Sequence, residues 1–534
     1  MSGGVGNTTI NNSGTLNTLT NGAINLGTGS NAFNNMAGGT FNAGAVVNLG
    51  AGNLFTNDGT LSAGGSGAVG ITAVTGNFVQ NSGGTLLSTI DQTGNTSDMV
   101  SVSGTGALAG NVQVEIINPN FGMQTHTIFS AAGGTTDNGF SLLASPALQA
   151  TLTYPNANDV VVSTNLDFTA PGQGLNANQT NLTGNLNQIA TAGGGGVASV
   201  LLALLNSTVT LADYQKLLDE LLPDVALNGQ ATTLAGAEGF GSNMLSCGQP
   251  GTGNGFIAEG QCIWGRMNVG SLDRDSTSGT IGYEENAQGI TMGAQGQVAP
   301  NWYIGGAFGL SASDLETDTN AESDGVHAHI GGVVKFVDGP LLLATGISGG
   351  ISSFDTSRRV ATGGLALTAT GDHDTLWLGG QFRMAWLLEQ GSWYVKPLVD
   401  VNVTYLDRDG FTEEGGGAAN LTVQGDDETY VSATPAIEIG GAFTTDDIII
   451  KPFLKTGVSF LSDDSHSLTA SFAGASAGTG SFTTSSEMDD VLADVEAGFT
   501  LFKMGGSSLT LGYEGRYGED TQSHGGFLKG RLRF

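Results

Sequence analysis

Over the last eight residues, Phe527 to Phe534 (FLKGRLRF), apolar and cationic positions alternate without a break. Leu528, Leu532 and Phe534 fall on one face with Gly530, and Lys529, Arg531 and Arg533 fall on the other, because strand side chains repeat every two residues. The same pattern sets Leu509, Leu511, Tyr513 and Tyr517 against Thr510, Gly512, Glu514 and Arg516. It sets Val399, Val401, Val403 and Tyr405 against Asp400, Asn402 and Thr404, and Leu376, Leu378, Phe382, Met384, Trp386 and Leu388 against Gln381 and Arg383. Runs of this length predict amphipathic strands. In a soluble sandwich the apolar face packs on protein. In a membrane barrel it meets lipid while the charged face meets a wet lumen.

The connections separate these two readings. Twelve strands are predicted from Ile263 onward, centred near Trp264, Ile290, Ile304, Val333, Leu342, Leu378, Val399, Ile437, Phe453, Val495, Leu511 and Leu528. Short turns (APN, DGP, EQGS, TTDD, KMGGS) alternate with longer loops such as SLDRDSTSG, SDLETDTNAESDG and DRDGFTEEGGGAAN. That asymmetry belongs to outer-membrane barrels, and an even strand number brings both barrel ends to the tight-turn side. The alternation then assigns Arg383, Asp400, Glu514, Arg516, Lys529, Arg531 and Arg533 to the lumen, either as a solvated wall or as partners for one another and for a helix held inside, for example at Glu238.

Residues 1 to about 162 read differently. Short apolar pairs recur between Gly/Asn turns, and a phrase of the form F/L-x-N-x-G-T-F/L-x-A-G occurs at Phe33 to Gly44 and again at Phe55 to Gly64. Short strands punctuated at a spacing near twenty residues predict a solenoid, here a right-handed parallel β-helix. The stretch 168–196 reads as a linker. Beyond it, Thr210 is a plausible N-cap with Asp213 three residues on. Leu211, Tyr214, Leu217, Leu218, Leu221 and Leu222 mark a helical face, and Pro223 closes it. Asp224 to Leu245, rich in Ala, Gly, Asn and Thr, reads as a slender helix that fits a narrow pore.

Composition narrows the field. Glycine supplies 87 of 534 residues, charged residues only 12%, and the net charge is −32 from 48 acids against 16 bases. No cationic stripe is present, so nucleic acid is not an expected partner. The longest apolar run, Val197 to Leu205, is too short to cross a bilayer as a helix, so a closed barrel must make any crossing. Cys247 and Cys262 flank a glycine-rich insert and are a disulfide candidate. Met1-Ser-Gly-Gly lacks the features of a secretory leader, which reads as a fragment with a supplied methionine.

Several stretches resemble one family. LTLGYEGRYGEDTQSHGGFLKGRLRF resembles the closing strands of the type V secreted autotransporters of Gram-negative bacteria, ending on the aromatic Phe534 as barrel-assembly signal. Met384 to Tyr405 resembles that family's central hairpin, Cys262 to Gly270 its first strand, and Asn95 to Gly110 the end of a β-helical passenger. The resemblance implies an all-β chain in three parts. Residues 1–167 are the C-terminal part of a β-helical passenger. Residues 168–262 are a linker with a pore-plugging helix, and 263–534 a twelve-stranded antiparallel transmembrane β-barrel. It also implies self-secretion with surface display. Its partners are outer-membrane lipid and lipopolysaccharide, the barrel-assembly machinery, periplasmic chaperones and a host or cell-surface ligand. The stretch Val112 to Ile128 is expected to nucleate passenger folding. Some relatives release their passenger by cutting between two asparagines of the pore helix, using barrel acids. Here that stretch holds Asn228-Gly229, so the passenger is expected to stay attached.

No enzyme, cofactor or metal is expected. Gly346 to Gly350 (GISGG) matches a nucleophile-elbow pattern but falls within a predicted strand. His327 and His329 read as wall residues, Asp372-His373-Asp374 lacks a nucleophile, and Asp314 to Asp324 reads as a solvated acidic loop. A passive channel, or the translocator of an enzyme encoded upstream, are the competing readings.

Overall fold

The computed structural model describes residues 6–19, 22–170, 172–245, 247–249, 258–445, 448–462, 465–503 and 507–533. Three stacks of short parallel strands form the N-terminal solenoid. One runs Thr9–Asn12, Ala32–Asn35, Leu54–Asn57, Asn77–Gln80. The second runs Thr15–Asn17, Thr40–Asn42, Thr60–Ser62, Thr85–Asp91. The third runs Ala23–Asn25, Val46–Asn48, Ile71–Thr75, Met99–Val102. Each coil turns its apolar residues inward, Phe33, Phe41, Val47 and Leu49 in one of them, and Phe33, Phe55, Phe78 and Phe129 form a column with centroids 4.8, 5.0 and 5.4 Å apart. Beside it a buried amide ladder climbs the same coils. Asn12 donates to Asn35 (2.8 Å), Asn35 to Asn57 (2.8 Å), and Asn57 to Gln80 (3.0 Å). Buried amides without such partners would each cost about 1–3 kcal/mol, so the recurring Asn is a condition of the stack.

The solenoid ends in an antiparallel hairpin, Leu148–Thr153 with Asp159–Leu166. Four helices follow: α1 Ala177–Thr191, α2 Ala198–Asn206, α3 Leu211–Glu220 and α4 Asp224–Met244. Helix α1 lies where the sequence reads as linker. Its Asn-rich composition hides an Asn176/Gln179 capping box and an apolar stripe of Leu182, Leu186 and Ile189, all buried. Helix α3 begins as expected, with the Asp213 amide donating to Thr210 Oγ1 at 3.1 Å.

Twelve antiparallel strands then close a barrel, from Cys262–Arg274 to Thr521–Arg533, which pair with each other. Each predicted centre falls within one of these strands, though Trp264, Ile304 and Leu342 lie near a strand's start rather than its middle. Outward positions are apolar and exposed: Val269 is 61% exposed, Ile330 69% and Leu532 63%. In water each would forfeit roughly 1.5–3 kcal/mol of burial; in lipid none does. Trp302, Trp386, Trp393 and Phe443 collar the tight-turn end, where amphipathic rings suit the interface. Strands such as Leu341–Val360 and Leu367–Trp386 exceed the roughly 9–11 residues a crossing needs, so they project past the bilayer. The stretch SDLETDTNAESDG, read as a loop, is mostly strand for this reason: Trp302–Thr317 and Glu322–Asp338 run into it, with Asp314 opposite Asp324.

Two long loops build a small sheet above the barrel, from Phe411–Thr412, Leu421–Val423, Ser465–Phe472 and Phe482–Glu487. One hydrophobic core runs from the solenoid through Phe168, helices α1 to α3 and on to Leu421, Leu468, Phe472 and Phe482 of that sheet. The segment 168–223 is therefore a packed cap, and the solenoid stands on it.

Candidate functional site

The site is the barrel lumen and the helix inside it. Helix α4 packs against the strands from Trp302 to Trp386, and its small residues set how closely it approaches. A Cβ at Gly229 would stand 3.6 Å from Phe354, and one at Gly241 2.6 Å from Gln381. Where the helix does carry a ring, Phe240 stacks on His329 at 5.3 Å. His327 is held between Ser313 (2.9 Å) and Ser352 (2.8 Å). His373 lies between the rings of Phe354 and Phe411, while Asp372 and Asp374 on either side of it are exposed. These histidines are wall residues. Ser348 of GISGG lies mid-strand opposite Gly379, and the strand runs on to Val360 where a nucleophile elbow would turn into a helix.

Polar contacts fix the plug along its length. Glu238 accepts from Ser432 Oγ (2.6 Å) and from Arg516 (3.3 Å), and Arg516 also binds Asp494 at 2.9 Å. Thr232 donates to Glu285 at 3.0 Å. At the tight-turn end Lys335 donates to the Leu245 carbonyl at 3.0 Å, a cation at the negative end of a helix. Just beyond, a disulfide joins Cys247 to Cys262 of the first strand, tying plug to wall. At the outer rim Arg358 binds Glu413 (2.5 Å), the Glu220 carbonyl (2.8 Å) and the Ala419 carbonyl (2.7 Å), all buried. The Glu220 carboxylate accepts from the Ala361 and Thr362 amides at 2.8 Å.

The other lumen charges named from the sequence also face inward. Arg383 and Asp400 form a two-point pair at 2.6 and 2.7 Å. Glu514 binds Arg266 at 2.5 Å. Lys529 sits 5.0 Å from the Trp264 ring and Arg531 5.2 Å from that of Phe502. The Arg533 side chain and Phe534 lie outside the described residues. The sequence reading passed over Arg266, Lys335, the pairs Lys396–Glu438 (2.5 Å) and Lys455–Glu496 (3.6 Å), and the Arg358 cluster. Position parity relative to exposed Val395 and Leu454 would have found the two pairs.

A lumen of paired charges, closed by a helix that leads out to a folded solenoid, is a pore whose content is its own chain. Residues 263–514 match the family model "Autotransporter beta-domain". The barrel, matched over a little under half of the chain, is thus an autotransporter β-domain. An autotransporter barrel is a translocator of the bacterial outer membrane. Among solved structures, the translocator domain of the autotransporter NalP from Neisseria meningitidis is similar at 14% identity, covering 59% of this chain and 100% of that one with a TM-score of 0.45. The beta domain of the Bordetella autotransporter BrkA is similar at 16% identity, covering 52% and 100% with a TM-score of 0.39. The transport unit of AIDA-I from Escherichia coli is similar at 12% identity, covering 51% and 90% with a TM-score of 0.38. No curated protein matches the chain.

Proposed function

We propose that this autotransporter carries its own solenoid across the outer membrane and displays it, still attached, as an adhesin-like surface. The observation that carries this reading is the unbroken path from plug to passenger. Helix α4 fills the lumen, and α1 to α3 continue into a cap that shares one hydrophobic core with the solenoid and the barrel's own loops. Helix α1 hydrogen-bonds the main chain of the loop sheet through Asn178 and Asn181, to Ser485 and Thr483, and that of the connection before its last strand through Asn185, to Thr479. A passenger seated this way is not on a flexible tether. Asn228 is followed by Gly229, so the plug lacks the Asn-Asn pair of self-cutting relatives. The flat, Asn- and Thr-rich coil faces suit extended contact with another surface. The passenger folds without an energy source as its coils stack on the already seated base. Its expected nucleus, Val112 to Ile128, includes Ile116, whose amide and carbonyl bind Asn206 of α2.

Intact cells producing the full chain supply the test. Added protease should remove the solenoid, and untreated cells should show one band carrying passenger and barrel together. A solenoid that is protected from protease, or found free in the medium, contradicts the reading. Cell aggregation that is unchanged on deleting residues 6–166 contradicts the adhesin-like part alone.

A further inference from the structure

The strand Leu367–Trp386 turns every second residue toward the lumen. Four of its inward residues carry polar groups: His373, Thr375, Trp377 and Gln381, all buried at 0 to 7% exposed. Among the described residues, nothing hydrogen-bonds to either ring nitrogen of His373, the Thr375 hydroxyl, the Trp377 indole N–H or either amide atom of Gln381. Buried polar groups are normally paired, and each exception calls for a reason. The next inward residue along the strand, Arg383, is bound at two points by Asp400, so this strand does form lumen pairs.

The plug does not complete the row. It meets it with Gly241, where a Cβ would come within 2.6 Å of Gln381 Oε1, and with the Phe240 ring, 6.4 Å from that of Trp377. The bonds that α4 makes through Thr232 and Glu238 go to other strands. Inside a helix the main-chain N–H and C=O groups bond one another, so most of the α4 backbone offers the row nothing. An extended chain does the opposite, because each non-proline residue presents a free N–H and a free C=O. Groups on one face of an extended chain recur about every 6.6–6.8 Å, the same interval as the inward positions of a strand. From His373 to Gln381 the row covers roughly 26 Å.

We propose that His373, Thr375, Trp377 and Gln381 form a track that hydrogen-bonds the main chain of the passenger while it crosses the barrel extended, and that α4 covers the track once transit ends. The ligand is unfolded polypeptide backbone, recognised whatever its side chains. A glycine-rich solenoid, with much of its main chain unscreened, suits such a site. The proposal rests on the reading that the barrel passes the solenoid outward. Each bond to the track replaces one that the chain gives up to water on entering the bore, and the even spacing lets the chain step from one group to the next.

Pulse-labelled cells producing the full chain test this. Protease access to the solenoid is the clock, and the temperature of the heat-modified gel shift measures barrel stability. The near-isosteric changes T375V and Q381M, made together, remove two of the track's groups. Surface arrival should slow about tenfold, equivalent to roughly 1.4 kcal/mol on the barrier. The shift temperature should hold or rise, because apolar groups then replace unpaired polar ones. T375S with Q381N, which keep a hydroxyl and an amide, should stay within about twofold of the unaltered rate. An unchanged rate with T375V and Q381M overturns the track, and equal slowing by T375S with Q381N overturns its hydrogen-bonding role. A lowered shift temperature, or a T375V/Q381M barrel that fails to fold, also overturns it, since either shows that these groups are already partnered with the plug seated. If the unaltered chain never exposes its solenoid to protease, the translocation reading fails and the track falls with it, a result that depends on neither variant.

Discussion

The solenoid and the barrel use one alternating code with opposite sense. In the solenoid the apolar positions turn inward, and Phe33, Phe55 and Phe78 are almost fully buried. In the barrel they turn outward, and Ile330, Ile347 and Leu532 are among the most exposed large apolar residues described. The apolar positions alone do not distinguish the two. The opposite face does. Solenoid coils place Asn and Thr there, which stack and bond between coils without charge. Barrel strands place Arg, Lys, Asp, Glu and Gly there, which need water or one another. A face that holds charge cannot be the outside of a membrane crossing, so lipid takes the other side.

The comparison can be broken most severely at the solenoid core. Phe55→Ala removes the middle of the aromatic column and should destabilise the passenger by about 3–5 kcal/mol, seen in its thermal melt, with barrel gel mobility unchanged. Next comes the seam between the regions. Arg358→Ala leaves Glu413 buried without its partner and should cost about 3 kcal/mol, read as new protease cutting in 168–223. Arg516→Glu places a carboxylate against Glu238 and Asp494. A cost of about 1–2 kcal/mol is expected, since Arg516 is partly exposed, together with raised ion leak in planar bilayers. Unchanged conductance and unchanged heat-modified mobility would count against the plug contact.

The smallest effect is a pH slope. Asp98, in the solenoid, is pushed up to about 7, chiefly by burial, against the hydrogen bonds it accepts from the Gly70 and Thr89 amides. It holds its proton more tightly folded than unfolded. The contribution of Asp98 to passenger stability is therefore greatest below about pH 4 and falls as pH rises toward 7, by at most about 1.4 kcal/mol per unit. Asp98→Asn should flatten that slope in melts taken between these limits. A pH slope that Asp98→Asn leaves unchanged would contradict the assignment.

Legibility followed periodicity. All twelve barrel strands could be read because outward Leu, Val and Phe alternate with charged or small residues for many steps. The plug could be read from its lack of bulk between Asp224 and Leu245. Helix α1 could not, because its polar face is Asn178, Asn181 and Asn185, a composition shared with linkers. Only the 182/186/189 spacing and the Asn176-x-x-Gln179 cap betray it. The amide ladder was present as Asn12, Asn35, Asn57 and Gln80, a recurrence of 22 to 23 residues that shows once the two repeat phrases are aligned with the coil before and after. The cap was invisible for a different reason. The loop strands that complete it, such as Leu421–Val423 and Phe482–Glu487, are short and lie far apart in sequence, so only tertiary packing defines them.

Nitroxide scanning of the strand Ser507–Tyr517 in the full chain, reconstituted in lipid, tests the opposite-sense claim most directly. Labels at 509 and 511 should relax with lipid-dissolved oxygen, and labels at 510 and 512 with a water-soluble reagent or not at all. Protection from oxygen at 509 and 511 would place protein, not lipid, against that face and contradict the account.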